Sequence, residues 1–355
     1  MERTEERPAA APAAPLLAGA DEGLAAGDPR VRLGLLAPGQ SLPLVIETAA
    51  DLDLLAWAAG KRQAIDRLLD RHGGILWRGF RLAGAAQFEQ LIAGLGDDLL
   101  DYTYRSTPRS EVGGKIYTST EYPPALAIPH HNEMSYTRSW PRKIWFLAVE
   151  TAAAGGETPI AGSHRVYAEI DPQIRREFEA KGVMYLRNYG SGLDLPWQTV
   201  FQTADRAAVA AFCRRSDIGF EWRGDDQLRT WQTCQATAVH PRSGEALWFN
   251  QAHLFHVSSL QPELRELLLE EYAGAEEELP RNACFGDRSP IDVSYLDAIR
   301  AAYARHEVVF PWRQGDLLML DNMAVAHARR PYQGSRKVVV GMADSWPPAA
   351  ARTAP

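Results

Sequence analysis

The stretch Ile128-Pro129-His130-His131-Asn132-Glu133 places a histidine and a carboxylate two positions apart, just after a proline. A proline favours an extended chain in the residues around it. In an extended strand, side chains two residues apart point to the same face. We therefore predict that His131 and Glu133 aim at one point, while His130 faces away and has a structural role.

His327, far downstream, completes a possible set of two histidines and one carboxylate. Such a facial triad suits non-haem Fe(II), because it holds one face of an octahedron and leaves the other positions open. We predict that the three ligating atoms lie within roughly 4 Å of one another, as ligands of one metal would. Taken singly, each residue has a plainer explanation as an ordinary polar group in a strand end or in the core.

Composition excludes several classes of protein. The chain has 355 residues, 46% of them hydrophobic, and a net charge of −7, so it can bury a large core and offers no basic surface for nucleic acid. No stretch approaches the length of apolar sequence that a membrane-spanning helix needs. The three widely spaced cysteines fit neither a disulfide framework nor a zinc site, which favours reduced thiols in the cytoplasm.

The pattern of elements predicts an α+β fold that is mainly β. Residues 1–30 read as a disordered Ala/Pro-rich tail, and residues 31–355 as a single domain. Many short strands, with helices such as the one predicted over residues 51–72, indicate a jelly roll (double-stranded β-helix) with supporting helices. Residues 189–246 mix glycine, tryptophan, glutamine and charge, and we interpret them as a lid or insertion. No glycine-rich loop supports a nucleotide-binding fold.

Two further positions suit a carboxylate ligand. Arg336 lies nine residues after His327, which allows one turn and the start of the next strand, and its planar guanidinium can bind a carboxylate through two hydrogen bonds. Thr158, beside Gly155-Gly156, offers a hydroxyl where the backbone can approach closely. The plainer alternatives are a solvated basic pair, Arg336-Lys337, and a simple turn.

Taken together and in this order, these motifs resemble the taurine dioxygenase (TauD/TfdA) family of Fe(II)/2-oxoglutarate-dependent oxygenases. The resemblance rests on His131-x-Glu133, Gly155-Gly-Glu-Thr158, Asp321-Asn322…His327, Gly334-Ser-Arg336-Lys and the strand Ile75-Leu-Trp-Arg-Gly-Phe80, and it spans residues 42–342. Within the family, residues 128–136 and 248–256 resemble the syringomycin-type hydroxylases, which act in natural-product pathways, often on amino acids carried by peptide synthetases.

The resemblance implies a set of roles. Iron would bind His131, Glu133 and His327, and 2-oxoglutarate would bind Thr158 and Arg336, with Lys337 as the alternative cation. The enzyme would use O2, release succinate and hydroxylate a small-molecule substrate, such as a free or carrier-bound amino acid. Asn250 and His253 are candidates for the substrate pocket. The carboxylate is glutamate where the family more often has aspartate.

Other functions remain open at this point. Desaturation or cyclisation would use the same site. A halogenase usually replaces the carboxylate ligand with a small residue, so Glu133 argues against it. A non-catalytic jelly-roll binding protein would not need all of these residues, and a zinc hydrolase would leave Arg336 and Thr158 without a role. The sequence leaves the oligomeric state open.

Overall fold

The computed structural model describes residues 28–100, 111–119, 122–190, 192–224 and 226–347, so all but the last three residues of the predicted tail lie outside the described residues. The strands are β1 Val31–Leu35, β2 Leu44–Thr48, β3 Gly74–Arg78, β4 Glu111–Gly113, β5 Ile116–Thr118, β6 Ile128–His131, β7 Trp140–Glu150, β8 Ala154–Gly155, β9 Ile160–Gly162, β10 Val183–Tyr189, β11 Gly219–Arg223, β12 Gln227–Cys234, β13 Thr237–Val239, β14 Ala246–Trp248, β15 Arg281–Phe285, β16 Glu307–Val308, β17 Leu317–Asp321, β18 Val325–Arg329, β19 Tyr332–Gln333 and β20 Lys337–Trp346.

The α-helices are α1 Leu54–Ala58, α2 Arg62–His72, α3 Gly84–Leu95, α4 Ser163–Glu169, α5 Pro172–Lys181, α6 Trp197–Phe201, α7 Arg206–Arg215, α8 Ala252–Phe255, α9 Pro262–Glu271 and α10 Val293–Arg305. The single helix predicted over residues 51–72 is wrong in one respect, because the chain turns between α1 and α2 at Gly60. The φ of Gly60 is 73°, a left-handed conformation that glycine adopts without strain. Among the described residues, no helix has the length and apolar character needed to cross a membrane.

Two sheets form the jelly roll. The larger has the strand order β1-β2-β3-β17-β7-β20-β5-β4, and the smaller has the order β16-β9-β18-β6. Apolar side chains from both sheets share one core, among them Phe146 and Leu318 from the larger sheet and Ile160 and Val325 from the smaller. This architecture confirms the predicted mainly-β jelly roll with supporting helices.

The central strand β7 shows why its sequence is nearly all apolar. Its side chains alternate between two cores: Ile144 and Phe146 face the smaller sheet, whereas Trp145 and Leu147 pack beneath α1, α2 and α3. A strand that is covered on both faces needs apolar residues at every position rather than at every second one. The helices therefore stabilise the sheet from outside and leave its inner face to build the site.

The segment predicted as a lid or insertion is folded into regular structure. Residues 189–246 contain α6, α7, β11, β12 and β13, and β11 and β12 join β10 and β15 in a four-stranded sheet of order β11-β12-β10-β15. A large apolar cluster fixes this sheet against the helices around it, with Phe178, Trp248 and Phe285 fully buried. The segment is thus a packed layer; its action as a lid stays a prediction.

Candidate metal centre and its pocket

The three predicted metal-binding residues lie together. His327 in β18 pairs directly opposite His131 in β6, and the two rings are 4.4 Å apart between centroids. The Nε2 atom of His327 is 3.9 Å from an Oε atom of Glu133. One possible ligand atom from each residue lies within 4.8 Å of the others, slightly wider than the roughly 4 Å predicted. This group could hold one metal ion.

Glu133 reaches this point by a different route from the one predicted. Strand β6 ends at His131, and Glu133 lies in the turn that follows, beside Met134 with a φ of 59°. The prediction that His131 and Glu133 share the face of one strand is therefore wrong, although both side chains reach the same place. The chain bends because long-range hydrogen bonds hold the turn, and these cannot be read from local spacing.

Asn322 makes the most direct of these bonds. Its Oδ1 accepts from the backbone N–H of Glu133 at 2.7 Å, and its Nδ2 donates to the backbone carbonyl of Glu133 at 2.9 Å and to that of Pro141 at 2.8 Å. In return, Asn132 donates through Nδ2 to the carbonyl of Asn322 at 2.7 Å. Asn322 is fully buried. It therefore links the turn of Glu133 to the β17–β18 connection that leads to His327.

Asp321 shapes that connection. One carboxylate oxygen accepts from the backbone N–H groups of Met323 and Ala324, and the other accepts from Nε2 of His240 at 3.1 Å. Burial alone would raise the pKa of Asp321, but the hydrogen bond from His240 and the charge of Arg142 bring this pKa below its usual value. The carboxylate therefore stays ionised and fixes the path of the chain into β18.

The donor set fits a non-haem iron. Nδ1 of His131 lies 2.8 Å from the carbonyl of Pro129, and because a carbonyl can only accept, this nitrogen carries the hydrogen. Nε2 is then the basic nitrogen that faces the group, the usual arrangement for a metal-bound histidine. Two imidazoles and one carboxylate, without sulfur, match the facial triad that binds Fe(II) and leaves coordination positions open.

The packed layer and the residues just after it hold the same turn. Gln251 donates through Nε2 to the carbonyl of Asn132 at 2.8 Å, and its own backbone N–H donates to the hydroxyl of Tyr185 in β10 at 2.7 Å. Gln235 donates to the carbonyl of Ser135 at 2.9 Å. The position of Glu133 is thus held from both sides, by the jelly roll and by the added sheet.

A pocket of about 380 Å³, including its open mouth, extends from the metal group. Its lining includes His131, His327, Phe146, Val338, Val340, Thr158, Arg329 and Arg336. Arg336 donates through Nε to the carbonyl of Gly156 at 2.8 Å, and its Nη2 lies 3.5 Å from Oγ1 of Thr158. Lys337 is exposed and does not line the pocket. The geometry therefore favours Arg336 over Lys337 as the cation of this pocket.

This end of the pocket is strongly cationic. Burial, and then the nearby charge of Arg329, lower the pKa of Arg336 to about 10. The ring of Tyr332 lies 5.6 Å from the Arg336 guanidinium and 5.2 Å from that of Arg329. Among the described residues, no carboxylate lies within ion-pair distance of Arg336. A half-buried cation without an ion-pair partner is costly, so an anionic ligand would stabilise this end.

Asn250 and His253 do not line this pocket, and their contact with substrate stays a prediction. Asn250 donates to the carbonyl of Ala236 at 2.7 Å, and its Oδ1 accepts from the backbone N–H of Ala252 at the start of α8 at 3.0 Å. His253 lies 2.9 Å through Nε2 from the carbonyl of His130, and burial lowers its pKa to about 3. His130 faces away from the metal group, as predicted, and stacks on Tyr303 with ring centroids 5.4 Å apart.

Two residues near the site were missed. Asn322 entered the sequence argument only as part of a family motif, without a role. Trp312 did not enter it at all, yet its Nε1 donates to Oγ1 of Thr158 at 3.1 Å. The two residues are 154 positions apart in the chain, and no local spacing signals their contact.

A jelly roll that brings two imidazoles and a carboxylate together beside a pocket with a half-buried guanidinium is typical of the non-haem iron oxygenases. The model of the taurine catabolism dioxygenase TauD, TfdA family matches residues 38–343, and the chain belongs to that family. It is therefore an Fe(II)- and 2-oxoglutarate-dependent oxygenase that uses O2.

Individual proteins agree with this membership. The dapdiamide synthesis protein DdaC of Enterobacter agglomerans is 43% identical over 286 residues, which cover 81% of this chain and 86% of that protein. A clavaminate synthase-like protein of Arabidopsis thaliana is 30% identical over 320 residues, 86% of this chain and 89% of that protein. The crystal structure of PvcB from Pseudomonas aeruginosa shares the fold, with a TM-score of 0.51 at 14% identity over 88% of this chain and 91% of that one.

Proposed function

We propose that His131, Glu133 and His327 hold the Fe(II) of this oxygenase, and that Arg336 and Thr158 hold the distal carboxylate of 2-oxoglutarate. The single observation that carries the proposal is the pocket itself, which joins the two histidines of the metal group to Arg336 and Thr158. Charge supports it as well, because the dianion 2-oxoglutarate would neutralise a cationic pocket end where Arg336 forms no ion pair with a carboxylate of the described residues.

When bound, Fe(II) together with O2 and 2-oxoglutarate supplies the oxidising power that removes hydrogen from a substrate C–H bond, with release of succinate and CO2. The residues of the chain supply the geometry. Glu133 and the two histidines would hold the metal, and Arg336 would fix the far end of the co-substrate. The apolar side chains of Phe146, Val338 and Val340 exclude water from the space between these ends.

The substrate we propose is an amino acid, free or carried on a carrier protein, in a natural-product pathway. Support comes from DdaC, which by its name acts in dapdiamide synthesis, and from the likeness of residues 128–136 and 248–256 to the syringomycin-type hydroxylases. Hydroxylation is the proposed outcome. The three free cysteines fit a reducing compartment, so we also propose a cytoplasmic location.

Glu133 separates hydroxylation from halogenation. As an iron ligand, Glu133 would take the position that a halide needs, and its backbone is held by the hydrogen bonds of Asn322. Chloride should therefore have no effect on turnover. A chlorinated product from the unmodified enzyme would contradict this part of the proposal.

The test is succinate release under ¹⁸O2 with a panel of amino acids, each supplied free and loaded on a carrier protein. We expect iron- and oxygen-dependent succinate formation that rises above the uncoupled background with the correct substrate, and ¹⁸O in the hydroxylated product. Activity that is independent of oxygen, as a zinc hydrolase would show, would refute the oxygenase proposal. If the enzyme forms succinate but no free or carrier-bound amino acid raises the rate above the uncoupled background, the proposed substrate class alone is refuted.

A further inference from the structure

The hydroxyl of Thr158 has an unusual set of neighbours. Its Oγ1 accepts from Nε1 of Trp312 at 3.1 Å and lies 3.5 Å from Nη2 of Arg336. A hydroxyl has one hydrogen to donate and two lone pairs to accept with. Both neighbours are N–H donors, so together they use the lone pairs, and the hydroxyl hydrogen must point to a third group. Thr158 is buried and lines the pocket, and its hydroxyl donates to no acceptor among the described residues. A ligand in the pocket can therefore supply the acceptor for this hydrogen.

The indole of Trp312 is itself held in place. Its ring meets the ring of Phe310 edge-on, with centroids 5.5 Å apart. Arg78, at the end of β3, donates to the carbonyl of Pro311 at 2.7 Å and pairs with the carboxylate of Asp316 at 3.1 Å. The segment that carries Trp312 is therefore fixed on both sides, and its indole N–H keeps a constant direction toward Thr158.

We infer that Trp312 is a positioning residue for co-substrate binding: by donating to Oγ1 of Thr158, it directs the Thr158 hydroxyl hydrogen toward the distal carboxylate of 2-oxoglutarate. This inference rests on the proposed function of the pocket. Trp312 acts through Thr158 and needs no contact with the co-substrate. Without the indole N–H, one lone pair of Thr158 is freed, the hydroxyl rotates more freely, and fewer of its orientations serve the carboxylate.

A double-mutant cycle on co-substrate binding tests the inference. The dissociation constant of 2-oxoglutarate is measured by titration calorimetry on the full-length protein loaded with Mn(II), for the unmodified chain, Trp312→Phe, Thr158→Val and the double variant. We expect Trp312→Phe to weaken binding by about threefold to tenfold, the effect of one neutral hydrogen bond, and Thr158→Val to weaken it more. The double variant should bind as Thr158→Val does, because Trp312 has nothing left to orient.

A second ligand sharpens the cycle. 2-Oxopentanoate has the same chain length as 2-oxoglutarate but ends in a methyl group instead of a carboxylate. Its affinity should be the same in the unmodified chain and in Trp312→Phe. Two results would overturn the inference by showing that Trp312 acts only through packing. One is an equal loss of affinity for both ligands in Trp312→Phe. The other is that adding Trp312→Phe to Thr158→Val weakens 2-oxoglutarate binding as much as Trp312→Phe does alone.

Two controls keep the outcomes distinct. Trp197→Phe removes another indole hydrogen bond, to Asp226, outside the pocket, and should leave 2-oxoglutarate binding unchanged. Replacement of Trp312 by β-(3-benzothienyl)alanine removes only the N–H and should reproduce the Phe result; unchanged binding would overturn the inference. If Thr158→Val itself binds 2-oxoglutarate normally, the proposed anchoring of the co-substrate fails rather than the role of Trp312 alone.

Discussion

The two ends of the pocket are built on opposite principles. At the metal end, Glu133 lies in a turn whose backbone is held by Asn322, Gln251 and Gln235 through hydrogen bonds within the protein. At the other end, Arg336 and Arg329 lie near each other without an acidic partner among the described residues. The metal end is thus pre-organised by the fold, whereas the cationic end is electrostatically complete only with an anion bound. Substitutions at the metal end should therefore lower Fe(II) affinity, and substitutions at the cationic end should lower 2-oxoglutarate affinity.

Removal of a metal-binding side chain is the most severe way to break the metal end. We expect His327→Ala to abolish iron-dependent succinate formation and to lower Fe(II) affinity by more than the ~10–100-fold typical for loss of an outer hydrogen-bond partner. Equilibrium metal titration checks this. His306→Ala, which changes a histidine outside the pocket, should bind iron normally. Normal Fe(II) binding by His327→Ala would remove this residue from the metal site.

At the cationic end, Arg336→Ala should weaken 2-oxoglutarate without affecting the metal. Loss of one partner of a buried charge pair costs on the order of 2–5 kcal/mol, so the dissociation constant of 2-oxoglutarate should rise by about 30-fold or more. Calorimetry with Mn(II)-loaded protein measures it. Lys337→Ala, at the exposed neighbouring position, is the matched control. The reverse pattern would transfer the role to Lys337.

Asn322→Ala tests whether the fold holds the metal end in place. The variant leaves the backbone groups of Glu133 without their partner, so we expect Fe(II) affinity to fall ~10–100-fold while the affinity of the metal-loaded protein for 2-oxoglutarate changes little. The buried Asn282, which bonds the backbone of Val257 away from the pocket, supplies the control Asn282→Ala. Equal metal affinity in both variants would contradict a special role for Asn322.

The smallest expected effect concerns His253, which bonds the backbone of β6 at His130. Burial lowers the pKa of His253 from 6.5 to about 3. Below pH 6.5 this histidine therefore binds a proton in the unfolded chain but not in the folded chain. The contribution of His253 to the free energy of unfolding is therefore fully present above pH 6.5. It decreases as the pH falls, by about 2 kcal/mol at pH 5.

Metal-free protein shows this effect most cleanly. Between pH 7 and pH 5, the Tm of His253→Gln should fall less than that of the unmodified chain, because glutamine does not titrate and can still donate to the carbonyl of His130. Other groups titrate in both proteins, so the difference between the two curves isolates His253. Parallel curves would show that His253 does not stay neutral in the fold.

The sequence predicted those parts of the site that depend on residue type and strand pairing. His131, His327, Thr158 and Arg336 do share one pocket, and the apolar strand over residues 143–150 lies in the jelly-roll core. The turn of Glu133 could not be predicted, because it depends on Asn322, 189 positions away.

The strands of the packed layer could not be predicted for a similar reason. Its strands β11 and β12 carry mixed polar and apolar residues, since one face meets the core cluster and the other is partly open. Composition of this kind resembles a loop until the partner strand β10 is known. Long-range pairing, rather than local propensity, decides such a segment.

The hydrogen bond between Arg336 and the carbonyl of Gly156 makes the pocket selective for the chain length of the co-substrate. Gly156 has a φ of 76°, and a Cβ there would come within 2.9 Å of Cδ of Arg336, so main chain and guanidinium are fitted to each other. With the metal turn also tied to main chain, neither end can shift to suit a different molecule. We expect such a rigid span to accept the five-carbon 2-oxo diacid and to discriminate against its four-carbon and six-carbon homologues.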